Sequence, residues 1–149
     1  MPKAITPNLW FDKQGLEAAE YYCSIFPGSR VVSVVRAGGK TLTVEFELMG
    51  QTYLGLNGGP AFPFTEAVSF VVACEDQAEI DRYWERLTAD GGEPGRCGWC
   101  KDRYGLSWQV VPAGLGELVK DDGARQALFG MDKLDIAALR AASGDGVAA

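Results

Sequence analysis

Two pairs of like residues stand at spacings that chemistry uses. Cys97-Gly98-Trp99-Cys100 has the spacing of a redox dithiol, and Glu45 and Glu47 lie two positions apart. A dithiol of that kind needs its first thiol at a helix N-terminus, where the dipole lowers its pKa. The residues that follow, Lys101-Asp102-Arg103-Tyr104-Gly105-Leu106-Ser107-Trp108, read instead as a turn between two strands. Cys97 and Cys100 are therefore expected to be ordinary strand cysteines. Asp102 and Arg103 should flank the Tyr104-Gly105 turn as a solvated pair. Glu45 and Glu47 alternate with Val44 and Phe46, so both fall on one strand face. Lining a cavity, they could share a proton or bind a cation, which makes them the catalytic candidates of this chain. Facing water, they are a solvated polar face.

A second constellation is aromatic. Tyr53, Trp99 and Trp108, with Trp10, are a large supply of rings for 149 residues. On antiparallel strands such rings can stack a planar ligand while Asn57 and Gln109 fix its orientation. The same rings also suit core packing or a dimer interface. Two amides offer donors and acceptors without charge, so the expected ligand is a small organic molecule, neutral or weakly polar, with a planar part. Phosphate is not expected at these residues.

Composition removes several classes of function. The chain contains no histidine, which excludes a histidine-ligated metal and a histidine base. Cys23 and Cys74 lie in strongly periodic segments and form no second Cys-x-x-Cys pair, so no four-cysteine zinc site is expected. With 14 basic against 20 acidic residues, the net charge is −6. Such a chain repels phosphate backbones, so neither nucleic acid nor an anionic membrane is an expected partner. No run approaches the length of a membrane span, and Met1-Pro2-Lys3-Ala4-Ile5 lacks the apolar core of a signal peptide. These features predict a cytoplasmic protein without a cofactor.

The elements that must position these residues follow from periodicity. Ile5 to Phe11 reads as a short strand; Leu16, Ala19, Tyr22, Cys23 and Phe26 then recur at helical spacing. Asp12 is the expected cap of that helix, and Pro27-Gly28 stops it. Val31 to Val35, Leu42 to Leu48 and Thr52 to Asn57 read as strands joined by Ala37-Gly38-Gly39-Lys40 and Gly50-Gln51. The order then repeats. Val68 to Cys74 is a strand, Glu75-Asp76 caps a helix with Ile80, Tyr83, Trp84 and Leu87 on one face, and Cys97–Asp102 and Leu106–Val111 form a hairpin. Both halves read as one βαβββ unit, giving an α+β fold of two such modules in a single domain. Module one covers about 3–58, a Gly/Pro-rich linker 59–65, module two about 66–112, and a helical tail 113–142; residues 143–149 are expected to fray.

Particular words in these modules resemble a known family. Leu9-Trp10-Phe11-Asp12, then Glu17-Ala18-Ala19 and Tyr21-Tyr22, is similar to the entry of the vicinal oxygen chelate superfamily, which includes glyoxalase I, bleomycin-resistance proteins and extradiol dioxygenases. Val44-Glu45-Phe46-Glu47-Leu48, Leu56-Asn57-Gly58-Gly59-Pro60, Glu66-Ala67-Val68-Ser69-Phe70 and Tyr104-Gly105-Leu106-Ser107-Trp108-Gln109 resemble its PhnB-like branch, often labelled 3-demethylubiquinone-9 3-methyltransferase. The resemblance spans Ile5 to about Leu139. It implies mixed sheets curved into a cup, a ligand cavity against the hairpin strands, and a homodimer. Superfamily enzymes hold a divalent metal with His and Glu ligands. The matching positions here are Ile5, Gly55 or Asn57, Ser69 and Gln109, none a normal ligand of zinc, iron or nickel. The expected function is thus a small-molecule binder or a metal-independent enzyme, with no metal. A metal-dependent enzyme using carboxylate and amide ligands, or a methyltransferase as the family label suggests, is the alternative. Against methyl transfer, the Asn57-Gly58-Gly59-Pro60 loop follows a hairpin strand and leads into Phe62-Pro63-Phe64, not into a helix.

Overall fold

A computed structural model describes residues 1–144. The chain divides into two compact units, Met1–Phe64 and a second beginning at Thr65. Unit 1 runs β1 (Asn8–Phe11), α1 (Gly15–Ile25), β2 (Arg30–Ala37), β3 (Lys40–Leu48) and β4 (Gln51–Asn57). Its sheet has the order β1-β4-β3-β2, with β1 parallel to β4 and the other neighbours antiparallel. Unit 2 repeats the plan with β5 (Ser69–Cys74), α2 (Gln77–Thr88), β6 (Glu93–Pro94), β7 (Trp99–Lys101) and β8 (Ser107–Pro112), in the order β5-β8-β7-β6. The two expected βαβββ modules are thus present, each with its first and last strands adjacent and parallel.

In each unit one helix covers one face of the sheet. In unit 1 the buried residues of α1 (Ala18, Ala19, Tyr22, Ile25) meet Val44, Phe46 and Leu48. Tyr22 stacks on Phe46, which stacks on Tyr53. Asp12 does not cap α1. Asn57 does, accepting the Gly15 N–H on Oδ1 at 2.8 Å while its Nδ2 donates to the Lys13 and Thr41 carbonyls. That capping oxygen lies 2.7 Å from where a Cβ on residue 15 would stand, which is why glycine opens the helix. In unit 2 Asp76 caps α2 as expected, accepting from the Glu79 N–H at 2.9 Å. Buried Ile80, Tyr83 and Leu87 then cover Cys74, Cys100 and Trp108.

The tail forms α3 (Leu115–Leu118), α4 (Asp122–Phe129) and α5 (Ile136–Ala142) and packs on unit 2. The Cys97 and Gly98 N–H groups donate to the Met131 and Asp132 carbonyls, and the Gln77 side chain bridges Leu134 and Ile136. Ser143 and Gly144 are not frayed; both donate to the Asp121 carboxylate, at 2.7 and 2.8 Å. The rest of the expected frayed segment, 145–149, lies outside the described residues. Strand β1 is shorter than expected, with Ile5 almost fully exposed before it.

Candidate functional site

Strand register decides which side chains can act together. Trp99 pairs with Gln109 and Lys101 with Ser107, while Ser69 pairs with Ser107 and Val71 with Gln109. Directly paired residues share a face, so Trp99, Lys101, Ser107, Gln109, Ser69 and Val71 all lie on the face away from α2. Val71 is 58 % exposed there. Across this face Gln109 Nε2 donates to Ser69 Oγ at 2.9 Å.

A cleft of about 570 Å³ opens beside β7, with Trp99, Lys101, Ser107, Cys97, Gly95 and Glu66 among its walls. Lys101 makes an ion pair with Glu66. Hydrogen bonding to Lys101 holds the Glu66 carboxyl below the usual carboxylate range, and Glu66 in turn raises the Lys101 ammonium. The lysine charge is therefore answered within the protein. Cys97 has φ +59, a left-handed conformation followed by another at Gly98. This turn, tied to Met131 and Asp132, sets the start of β7 and places Cys97 in no helix. Cys100, on the α2 face, has its thiol pushed up to about 12 by burial, with Asp102 adding repulsion. Neither thiol has the helix-terminal setting that activates a redox dithiol.

The other expected site residues fall elsewhere. Trp108 lies on the α2 face, 4 % exposed, packed edge-on against Phe70. Its Nε1 donates at 2.9 Å to Asp102, which is only 2 % exposed. Asp102 is thus not a solvated partner of Arg103; its other carboxylate oxygen accepts the Tyr104 and Leu106 N–H groups, and Arg103 meets Asp90. The sequence offered no local sign of this, because two of the partners are backbone groups of the turn. Asn57 is committed to the α1 cap, and Tyr53 lies with Phe46 on the helix-covered face of unit 1. Glu45 and Glu47 do share the opposite face. Glu47 pairs with Arg30 at 3.2 Å, while Glu45 stands opposite Ser33 and Leu54.

The Gly-rich loop after β4 is shaped by a ring. Trp10 Nε1 donates to the Gly59 carbonyl at 2.8 Å, and a Cβ on Gly58 would lie 2.3 Å from the Trp10 ring. Its glycine allows close packing against tryptophan.

Residues 3–111 match the family model described as 3-demethylubiquinone-9 3-methyltransferase. The chain belongs to this family. No curated protein sequence matches it. Among solved structures, a PhnB protein from Bacillus cereus is 31% identical, with 74% of this chain and 100% of that one covered and a TM-score of 0.69. The fosfomycin resistance protein FosX of Listeria monocytogenes, solved with Mn(II) and sulfate, is 17% identical over 80% of this chain and 98% of its own, TM-score 0.55. A possible glyoxalase from Bacillus cereus is 15% identical over 73% and 98%, TM-score 0.51. The last two show the fold alone.

The superfamily's metal does not fit the donor set of this family member. Ile5 is an exposed aliphatic, Gly55 has no side chain, Asn57 caps α1, and Ser69 and Gln109 hydrogen-bond to each other as neutral groups. Among the described residues no three Cys, Asp or Glu side chains converge. No helix among them is long and apolar enough to cross a membrane.

Proposed function

We propose that this chain binds a small organic ligand, neutral or weakly polar and with a planar part, in the cleft of unit 2, and does so without a metal. The observation that carries this reading is Trp99 on the wall of a cleft of about 570 Å³. That volume suits a small organic molecule, and an indole face accepts flat groups of many kinds. Lys101 is already paired with Glu66, so the cleft presents no unanswered lysine to a phosphate. Ser69 and Gln109, on the same sheet face, are neutral hydrogen-bonding groups.

The test is titration of the full chain with 2-naphthol, followed by amide and indole N–H shifts. Saturable shifts are expected at Trp99 and along 95–101. Trp99→Ala should weaken binding by about tenfold or more, the scale of losing one stacked ring. Shifts confined to Trp10 or Trp108, or none at all, would refute the reading. Calorimetry with S-adenosylmethionine tests the methyltransferase description directly, and no binding heat is expected.

We also propose that the chain pairs with a second copy of itself. Support comes from exposed apolar side chains on the sheets: Val35 on β2, Leu42 (the extra residue of a bulge in β3) and Val71 on β5.

A further inference from the structure

We propose that unit 1 carries a second site, which takes the phosphoryl group of a small phosphorylated molecule among Lys13, Arg36 and Lys40. These residues line a cleft of about 670 Å³ together with Asp12, Thr41 and Asn57. They come from three separate stretches: Lys13 from the turn between β1 and α1, Arg36 from the end of β2, and Lys40 from the start of β3. Gly38 and Gly39, both with left-handed φ, turn the hairpin so that Arg36 and Lys40 reach the same end of the sheet.

Three cations without a salt bridge line this one cleft. The chain has 20 acidic against 14 basic residues, and among the described residues seven of the basic side chains form salt bridges with carboxylates. Lys101 meets Glu66, Arg103 meets Asp90 and Lys133 meets Asp81. Among the described residues Lys13, Arg36 and Lys40 meet none; Arg36 has only a long hydrogen bond, 3.4 Å, to Thr41 Oγ1. One carboxylate, Asp12, lines the cleft with these three cations. Like charges gathered in one concavity repel, and an anion seated among them relieves that repulsion.

The helix start is not what draws the anion, because Asn57 already closes the Gly15 N–H. The side chains are. A phosphoryl group brings nearly two charges and three acceptor oxygens, which matches a guanidinium fork and two ammonium groups. A net charge of −6 works against any long polyanion, so the ligand is a small molecule. This site lies in the other unit from the Trp99 cleft and stands independently of it.

The test is titration of the full chain with inorganic pyrophosphate at low ionic strength, by calorimetry and amide shifts. Saturable binding is expected, with shifts over 12–14 and 36–41, and affinity should fall as salt rises toward physiological strength. The double variant Arg36→Gln, Lys40→Gln should bind at least about tenfold more weakly, since each loses a charge-assisted hydrogen bond. Lys133→Gln, at a paired lysine in unit 2, should bind as the unaltered chain does. Absence of saturable binding, shifts elsewhere, or unchanged affinity in the double variant would overturn the site. Citrate binding as tightly as pyrophosphate would overturn its assignment to a phosphoryl group.

Discussion

Replacing Asp102 by asparagine tests the buried anchor of the β7–β8 turn with a change of one atom. Asp102 is 2 % exposed, and the donors it answers include the Tyr104 and Leu106 N–H groups on Oδ1, at 2.8 and 3.2 Å, and Trp108 Nε1 on Oδ2 at 2.9 Å. Asparagine keeps an oxygen for the two backbone groups but turns an NH₂ toward the indole N–H. Losing a charge-assisted bond costs about 1.5–3 kcal/mol, and a buried donor left without an acceptor about 1–3 kcal/mol. Relief of the carboxylate's own desolvation offsets part of this, leaving a net loss of about 2–4 kcal/mol. Trp108→Phe removes the donor and some ring volume. If the indole–carboxylate bond carries the loss, the double variant loses less than both single changes together, with a coupling of about 1–2 kcal/mol. Urea unfolding followed by far-ultraviolet circular dichroism measures all four proteins. Additivity within about 0.5 kcal/mol would refute the reasoning and place the role of Asp102 in the turn backbone alone.

Other outcomes follow from the same geometry. Gly58→Ala puts a methyl into the Trp10 ring, so the melting temperature should fall by several degrees, a loss of about 1–3 kcal/mol. Cys74 and Cys100 are pushed up to about 11 and about 12 by burial, from an ordinary 9.0. Their neutral thiols contribute stability that is fully present below pH 9 and lost as pH rises from there through 11 and 12, so alkaline unfolding should weaken on Cys100→Ala after correction for its neutral-pH effect. A chelator should leave the melting temperature unchanged, and a clear drop reversed by one added metal would contradict the donor-set argument. Sedimentation at micromolar concentration should give twice the 16.0 kDa of one chain.

What could be read from the sequence depended on how far apart the partners lie. The α2 cap was legible because Asp76 and Glu79 are neighbours in sequence. The α1 cap was not, because Asn57 is 42 residues beyond Gly15. Trp99 and Trp108 were expected to line one cavity, and both do lie on adjacent strands. Register pairs Trp99 with Gln109, however, and a single residue's difference in parity sends Trp108 to the opposite face. Periodicity gives the alternation along each strand but not the phase between two strands. The cations of unit 1 were invisible for a similar reason. Residues 13, 36 and 40 form no run, and only the hairpin and the β1–α1 turn bring them together.

The parallel pairing of first with last strand governs how each unit can form on the ribosome. Strand β1 has β4 as its neighbour, and its four register pairs, Asn8 with Leu54 through Phe11 with Asn57, span more than forty residues of chain. Leu9 and Phe11 thus wait without their strand partner until β4 has been synthesised, and the edge they complete is the last to close. The wait ends within the unit's own segment, because β4 finishes at Asn57, before Thr65 begins the second unit. The first sheet can be complete while the second is still being translated, and the same order repeats from β5 to β8. A chain that ends before Asn57 would leave β1 unpaired, whereas one that extends past Phe64 carries every strand of the first sheet.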